Sequence, residues 1–155
     1  MRKLNKSGSN LIKHFESFSP VIYKCSAGVD TIGWGFTDKR LIKLYRNKRM
    51  SRKSGDKLFD RYIRQYCAYV EELITVPLTN NEFAALVSFT FNLGYGNLRA
   101  STLRRVINRK DYDAAPKQFG RWIRSAGKVS NGLIRRRKTE AMLWECDDFI
   151  TLNFK

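Results

Sequence analysis

Residues 79–91 restrict this chain more than any other stretch. Thr79-Asn80-Asn81-Glu82 is a capping-box pattern, in which the Thr and Glu side chains satisfy each other's backbone amides at a helix start. Behind it come Phe83, Leu86, Val87, Thr90 and Phe91, a run apolar enough to form the buried centre of a helical lobe. Gly94 and Gly96 end it. Such a helix must be covered by others, and the spacing predicts them over Thr102–Asn108, Tyr112–Trp122 and Leu133–Trp144. A longer helix is predicted from near Ser54 to Ile74. Its stripe is Leu58, Phe59, Tyr62, Ile63, Tyr66, Tyr69, Val70 and Leu73, and Pro77 breaks it.

The first fifty residues read differently. Ser9 or Asn10 can cap a short helix carrying Leu11, Ile12, Phe15 and Phe18, stopped by Pro20. Val21–Lys24 reads as a strand, residues 26–28 as a turn, and Thr31–Phe36 as a second strand. In that second strand Ile32, Trp34 and Phe36 alternate with Thr31, Gly33 and Gly35. Two glycines on one strand face suggest close approach by a ligand or another backbone. The expected fold class is α+β. A small lobe with a hairpin (about 15–55) is followed by a connecting helix (about 54–76) and a larger all-helical lobe (about 77–155). These form one domain, and a cleft between lobes is the natural ligand site.

Lys and Arg number 30 against 14 Asp and Glu, a net charge of +16. A field that strong favours polyanions such as nucleic acid, anionic lipid or wall polymers, and does not choose among them. Two clusters stand out, Lys39–Lys57 and Arg135-Arg136-Arg137-Lys138; each also reads as a plain solvated face. No helix-turn-helix or zinc signature accompanies them, so no specific nucleic-acid partner is expected. The helix around Leu133–Trp144 is basic enough to disturb membranes and also reads as an ordinary packed element. Three cysteines without CxxC spacing argue against a disulfide framework and a zinc site. Cys67 and Cys146 read as structural, and His14 as exposed. No apolar run is long enough to cross a membrane. The basic N-terminus lacks the apolar core of a signal peptide, so the chain is not expected to export itself by that route, and action outside the cytoplasm would need another way out.

Glu16 lies on the edge of the first helix's apolar face, where partial desolvation suits a general acid. It also reads as an ordinary amphipathic-helix acid. Cys25 and Thr31 flank the turn, as a small hydrophobe and a β-former or as polar groups around a water. Taken together they form a pattern: Glu16, eight residues, Cys25, five residues, Thr31, with Tyr23-Lys24 before the cysteine and Thr31-Ile32-Gly33-Trp34-Gly35 after it. This resembles the bacteriophage lysozymes of glycoside hydrolase family 24. The resemblance continues through Leu78–Phe89, Phe91-Asn92-Leu93-Gly94, Ser101-Thr102-Leu103, Phe119-Gly120-Arg121-Trp122, Ala126–Val129 and Gly132–Arg137, and covers about residues 8 to 145.

The resemblance implies a lysozyme-like fold and a cofactor-free, metal-free muramidase; for the oligomeric state a monomer is the default expectation. Its substrate would be the glycan strands of peptidoglycan, cut at the β-1,4 bond between N-acetylmuramic acid and N-acetylglucosamine in host-cell lysis. Glu16 would protonate the leaving oxygen, Cys25 would stand at the second acid's position, and Thr31 would help place the attacking water. Asn92 and Gly33 would meet substrate, and one of Arg135, Arg136 and Arg137 would hold Glu16. Two departures are visible. Cys25 replaces the commoner Asp, and Phe36 replaces a His that many relatives carry. A lytic transglycosylase, which needs one acid, and a catalytically weak wall- or polyanion-binding relative are the alternative readings.

Overall fold

A computed structural model describes residues 1–25 and 27–148. The hairpin forms where the sequence expects it. Strand β1 (Ser19–Lys24) pairs antiparallel with β2 (Asp30–Gly33), with Tyr23 opposite Thr31 and Lys24 opposite Asp30. The second strand is shorter than its alternation predicts. Gly33 and Gly35 adopt φ of +64° and +84°, so the chain turns back and Ile32 bridges Phe36. Glycine is what allows those angles, and the period-2 pattern cannot run through them.

Helix α1 (Lys6–Glu16) begins before the expected Ser9 or Asn10. Asn5 takes the capping role, its Oδ1 accepting from the Gly8 amide at 2.9 Å. The helix has ended before Pro20, at Ser17, whose φ is +52°. Helix α2 (Lys39–Tyr45) lies within the stretch read only as a charge cluster; Asp38 caps it by accepting from the Leu41 amide. Helix α3 (Arg52–Leu73) matches the long apolar stripe.

The chain divides into two compact units, residues 13–62 and residues 1–12 with 63–155. In the smaller, Ile32, Trp34, Phe36, Met50 and Phe59 are the buried core. Trp34 is fixed through its indole N–H, which donates to Asp56 Oδ1 at 3.0 Å; Lys13 Nζ lies 2.7 Å from the same oxygen. Burial acts to raise the Asp56 pKa, but the Lys13 and Trp34 hydrogen bonds prevail and hold it below the usual value.

In the larger unit, helix α4 (Asn80–Leu93) is the buried centre that the capping box predicts. Thr79 Oγ1 accepts from the Glu82 amide at 3.1 Å, and Glu82 Oε2 from the Thr79 amide at 2.7 Å. Phe83 through Thr90 are all buried. Gly94, at φ +86°, caps the end and donates to the Thr90 carbonyl. Helix α5 (Tyr95–Ala100) follows at once and has no forerunner in the sequence reading; α6 (Thr102–Asn108) matches its expected span. Helix α7 covers only Ala115–Phe119 of the predicted Tyr112–Trp122, and Phe119 and Trp122 stack edge-on against Phe89. A small hairpin, β3 (Arg124–Ser125) and β4 (Lys128–Val129), was hidden in the sequence. Its turn residues Ala126 and Gly127 both have positive φ, as a tight two-residue turn demands. Helix α8 (Asn131–Glu145) packs on α4 and α7. Among the described residues no helix is long and apolar enough to cross a membrane.

Candidate active site

Glu16 is the last residue of α1 and is half-buried. The turn after β2 brings Gly35 against it: a Cβ on Gly35 would lie 2.6 Å from Glu16 Oε2 and 3.2 Å from its Cδ. Only hydrogen leaves room for the carboxylate there. Gly33, by contrast, is buried, and a Cβ there would meet the protein's own side chains, the Phe36 ring at 2.8 Å and Met50 Sδ at 2.9 Å. The two glycines of the motif therefore do different work. One shapes the core, the other lets the acid sit against the hairpin.

Cys25 follows β1 at the turn. Its amide donates to the Val29 carbonyl at 3.0 Å and its carbonyl accepts from Gly28 at 2.8 Å. The backbone of Val29 and then of Ala27 holds the thiol below its ordinary pKa, with Thr31 adding to the effect. Such hydrogen bonds favour the thiolate because they are strengthened by its charge. Thr31 is 2% exposed, and its Oγ1 lies 2.9 Å from the Val29 carbonyl. A hydroxyl has one proton, so Thr31 donates either to that carbonyl or to the sulfur. Tyr23, across the ladder from Thr31, is the member of the group that motif reading left without a role. Burial first, and then the charges of Glu16 and Cys25, push its phenol above the usual value. Glu16, Cys25, Thr31 and Tyr23 thus form one electrostatic neighbourhood within the smaller unit.

The other sequence-predicted residues lie in the larger unit. Arg135 is exposed, whereas Arg136 and Arg137 are 3% and 1% exposed, so the run 135–138 is not a uniformly solvated face. The reason is Glu140, fully buried on the same helix. Glu140 Oε1 accepts from Ser88 Oγ at 2.7 Å, Arg137 Nη2 at 3.1 Å and Arg136 Nε at 3.4 Å. Arg137 Nε lies 2.9 Å from the other carboxylate oxygen as an ion pair. Arg137 Nη2 also donates to Asn92 Oδ1 at 2.9 Å, which fixes that amide, and its guanidinium lies over Phe89. Burial pulls the Arg137 pKa down to about 10 and pushes the Glu140 carboxyl up, each through the cost of an enclosed charge. The motif reading found Asn92 and the arginines but not Glu140, which its i,i+3 and i,i+4 spacing to Arg137 and Arg136 marks.

The cysteines differ sharply. Cys67 is 1% exposed and burial raises its thiol to about 11. Iodoacetamide at about pH 8 should therefore alkylate Cys25 more than about tenfold faster than Cys67, read by peptide mass spectrometry. Equal rates would mean that α3 opens readily or that Cys25 lacks its stabilising amides.

Comparison with known proteins bears on the family and the fold. The family model described as phage lysozyme matches residues 13–140. The endolysin of Bacillus phage B103 is 34% identical over 143 residues, covering 91% of this chain and 53% of that protein. The chain thus spans about half the length of that relative. The endolysin of Acyrthosiphon pisum secondary endosymbiont phage 1 is 32% identical over 148 residues, covering 92% of this chain and 97% of that protein. Among solved structures, the endolysin from Escherichia coli O157:H7 phage FAHEc1 superposes with a TM-score of 0.83 at 28% identity, covering 97% of each chain. With its α+β, lysozyme-like fold and a family match that spans most of its length, this chain belongs to the phage lysozyme family.

Proposed function

We propose that this chain is a muramidase that hydrolyses the β-1,4 bond between N-acetylmuramic acid and N-acetylglucosamine in peptidoglycan, leading to lysis of a bacterial host. The observation that carries the reading is the convergence of Glu16, Cys25 and Thr31 about Tyr23, with the acid held against Gly35. Glu16 donates its proton to the leaving oxygen, and an oxocarbenium-like centre develops at the sugar carbon. A water placed by Thr31 attacks it, and the proton it sheds goes to the Cys25 thiolate or to solvent. The positions of Asn92 and Arg137 support a role for the fixed amide in binding sugar. The +16 charge supports attraction to anionic envelope surfaces. Membership in a lysozyme family favours hydrolysis over ring-closing transglycosylation.

This mechanism gives Cys25 a pH signature. A thiolate is populated as pH rises through the thiol pKa, which the backbone of Val29 and Ala27 holds below its ordinary value. Activity on purified peptidoglycan, followed as new reducing ends, should rise with pH on its acidic limb. Cys25→Asp should shift that limb to lower pH and match or exceed the wild type at neutrality. Cys25→Ser should lose about ten- to a hundredfold, and less than Glu16→Gln does. A folded but inactive Cys25→Asp would remove Cys25 from the mechanism. Failure of the wild type to release reducing ends would remove the muramidase reading itself.

A further inference from the structure

A groove of about 800 Å3 opens on the smaller unit beside α2. Ile42 forms its floor, and Val29 and Leu44 stand beside it, 45% and 59% exposed. Lys39, Lys43, Arg46 and Lys48 also line it. Asp30 is the one acid of the lining, and it already pairs with Lys24 at 2.8 Å. Glu16, Cys25 and Thr31 are not part of the lining; Val29, whose carbonyl accepts from Cys25 and Thr31, stands between the two groups.

Exposed apolar side chains beside a group of cations mark a surface that meets something both anionic and apolar. Nucleic acid or a polyol phosphate of the wall would use the four cations and leave the exposed Val29 and Leu44 wet. A phospholipid uses both: its phosphate meets the ammonium and guanidinium groups, and its upper acyl chain covers the apolar floor. We propose that this groove binds the phosphate head and upper acyl chain of an anionic phospholipid and so docks the smaller unit on a bilayer surface. The proposal stands apart from the muramidase reading, because it needs none of the catalytic residues.

The test is flotation with phosphatidylcholine vesicles, with and without phosphatidylglycerol, at physiological salt. Lys43→Gln/Arg46→Gln is compared with a control of equal charge, Arg109→Gln/Lys117→Gln, both pairs being exposed. One cation at an anionic surface is worth about fivefold in binding. The groove pair should therefore lose about 20-fold on phosphatidylglycerol vesicles, and the control no more than about twofold. Leu44→Ser should lose about fivefold on those vesicles and keep its affinity for inorganic polyphosphate. Release of reducing ends from solubilised wall fragments should be unchanged in all three variants, which separates failure here from failure of the enzymatic reading. Equal losses from both charge pairs would overturn the proposal in favour of a diffuse positive field. An unaffected Leu44→Ser would overturn it in favour of a site for phosphate polymers alone.

Discussion

Glu16→Gln is expected to fold like the wild type and to lose about 10²- to 10⁴-fold in activity on peptidoglycan. The amide is nearly isosteric with the acid, and Glu16 ends α1 half-buried, with Gly35 leaving the space that either side chain fills. Packing therefore gives no reason for unfolding. What changes is chemistry. An amide has no dissociable proton to give the leaving oxygen, and neither Tyr23 nor Cys25 is suited to replace it: Tyr23 is held above its ordinary pKa, and Cys25 is biased toward the thiolate. Melting temperature and reducing-end release measured on the same preparation decide the matter. More than about a tenth of wild-type activity in a folded protein would rule out Glu16 as the acid.

Glu140→Ala should have the largest effect on stability, a loss of about 3–5 kcal/mol. The carboxylate is fully buried among Ser88, Arg136 and Arg137. Removing it strands two buried guanidinium groups without this counter-ion, and leaves a cavity as well. Desolvation already draws Arg137 down to about 10 with Glu140 in place. For a chain of this size the loss corresponds to a melting temperature lower by about 6–20 °C. Arg137→Met/Glu140→Leu should lose less than the sum of its two single changes, since the double variant removes paired charges together. Chemical denaturation of the four proteins measures the coupling. Strict additivity would mean that the ion pair does not hold α8 in place.

The sequence made the most of positions where one residue type answers one geometric demand. Thr79 and Glu82 announced α4 because a capping box joins side chains to specific amides, and the structure makes both bonds. The hairpin around Cys25 was legible from its turn and flanking strands. The strand's end was misplaced because Gly33 and Gly35 were read as a face, whereas their positive φ makes them a turn. Helix α2 was obscured by its own lysines and arginines, although Asp38 is the cap that marks its start. The β3–β4 hairpin is two residues on each side, too short for any periodicity to register. Arg136 and Arg137 looked like part of a solvated run because charge patterning weighs neighbours in sequence. Glu140, one turn further along α8, is the neighbour in space that draws both inside. Within the candidate site, Glu16, Cys25 and Thr31 were marked by the resemblance of their pattern, and of the blocks that follow it, to the phage lysozymes, and not by their spacing alone. The role of Gly35 beside the carboxylate was not, since nothing in a glycine says which side chain fills the space it leaves.

The central claim is that Glu16 protonates a glycosidic oxygen and water completes the cleavage. Mass spectrometry of the soluble products from purified peptidoglycan, with wild type and Glu16→Gln side by side, tests it most directly. The account predicts muropeptides with reducing N-acetylmuramic acid ends from the wild type and none from the variant. Anhydro-muropeptides, or no cleavage by the wild type, would contradict it.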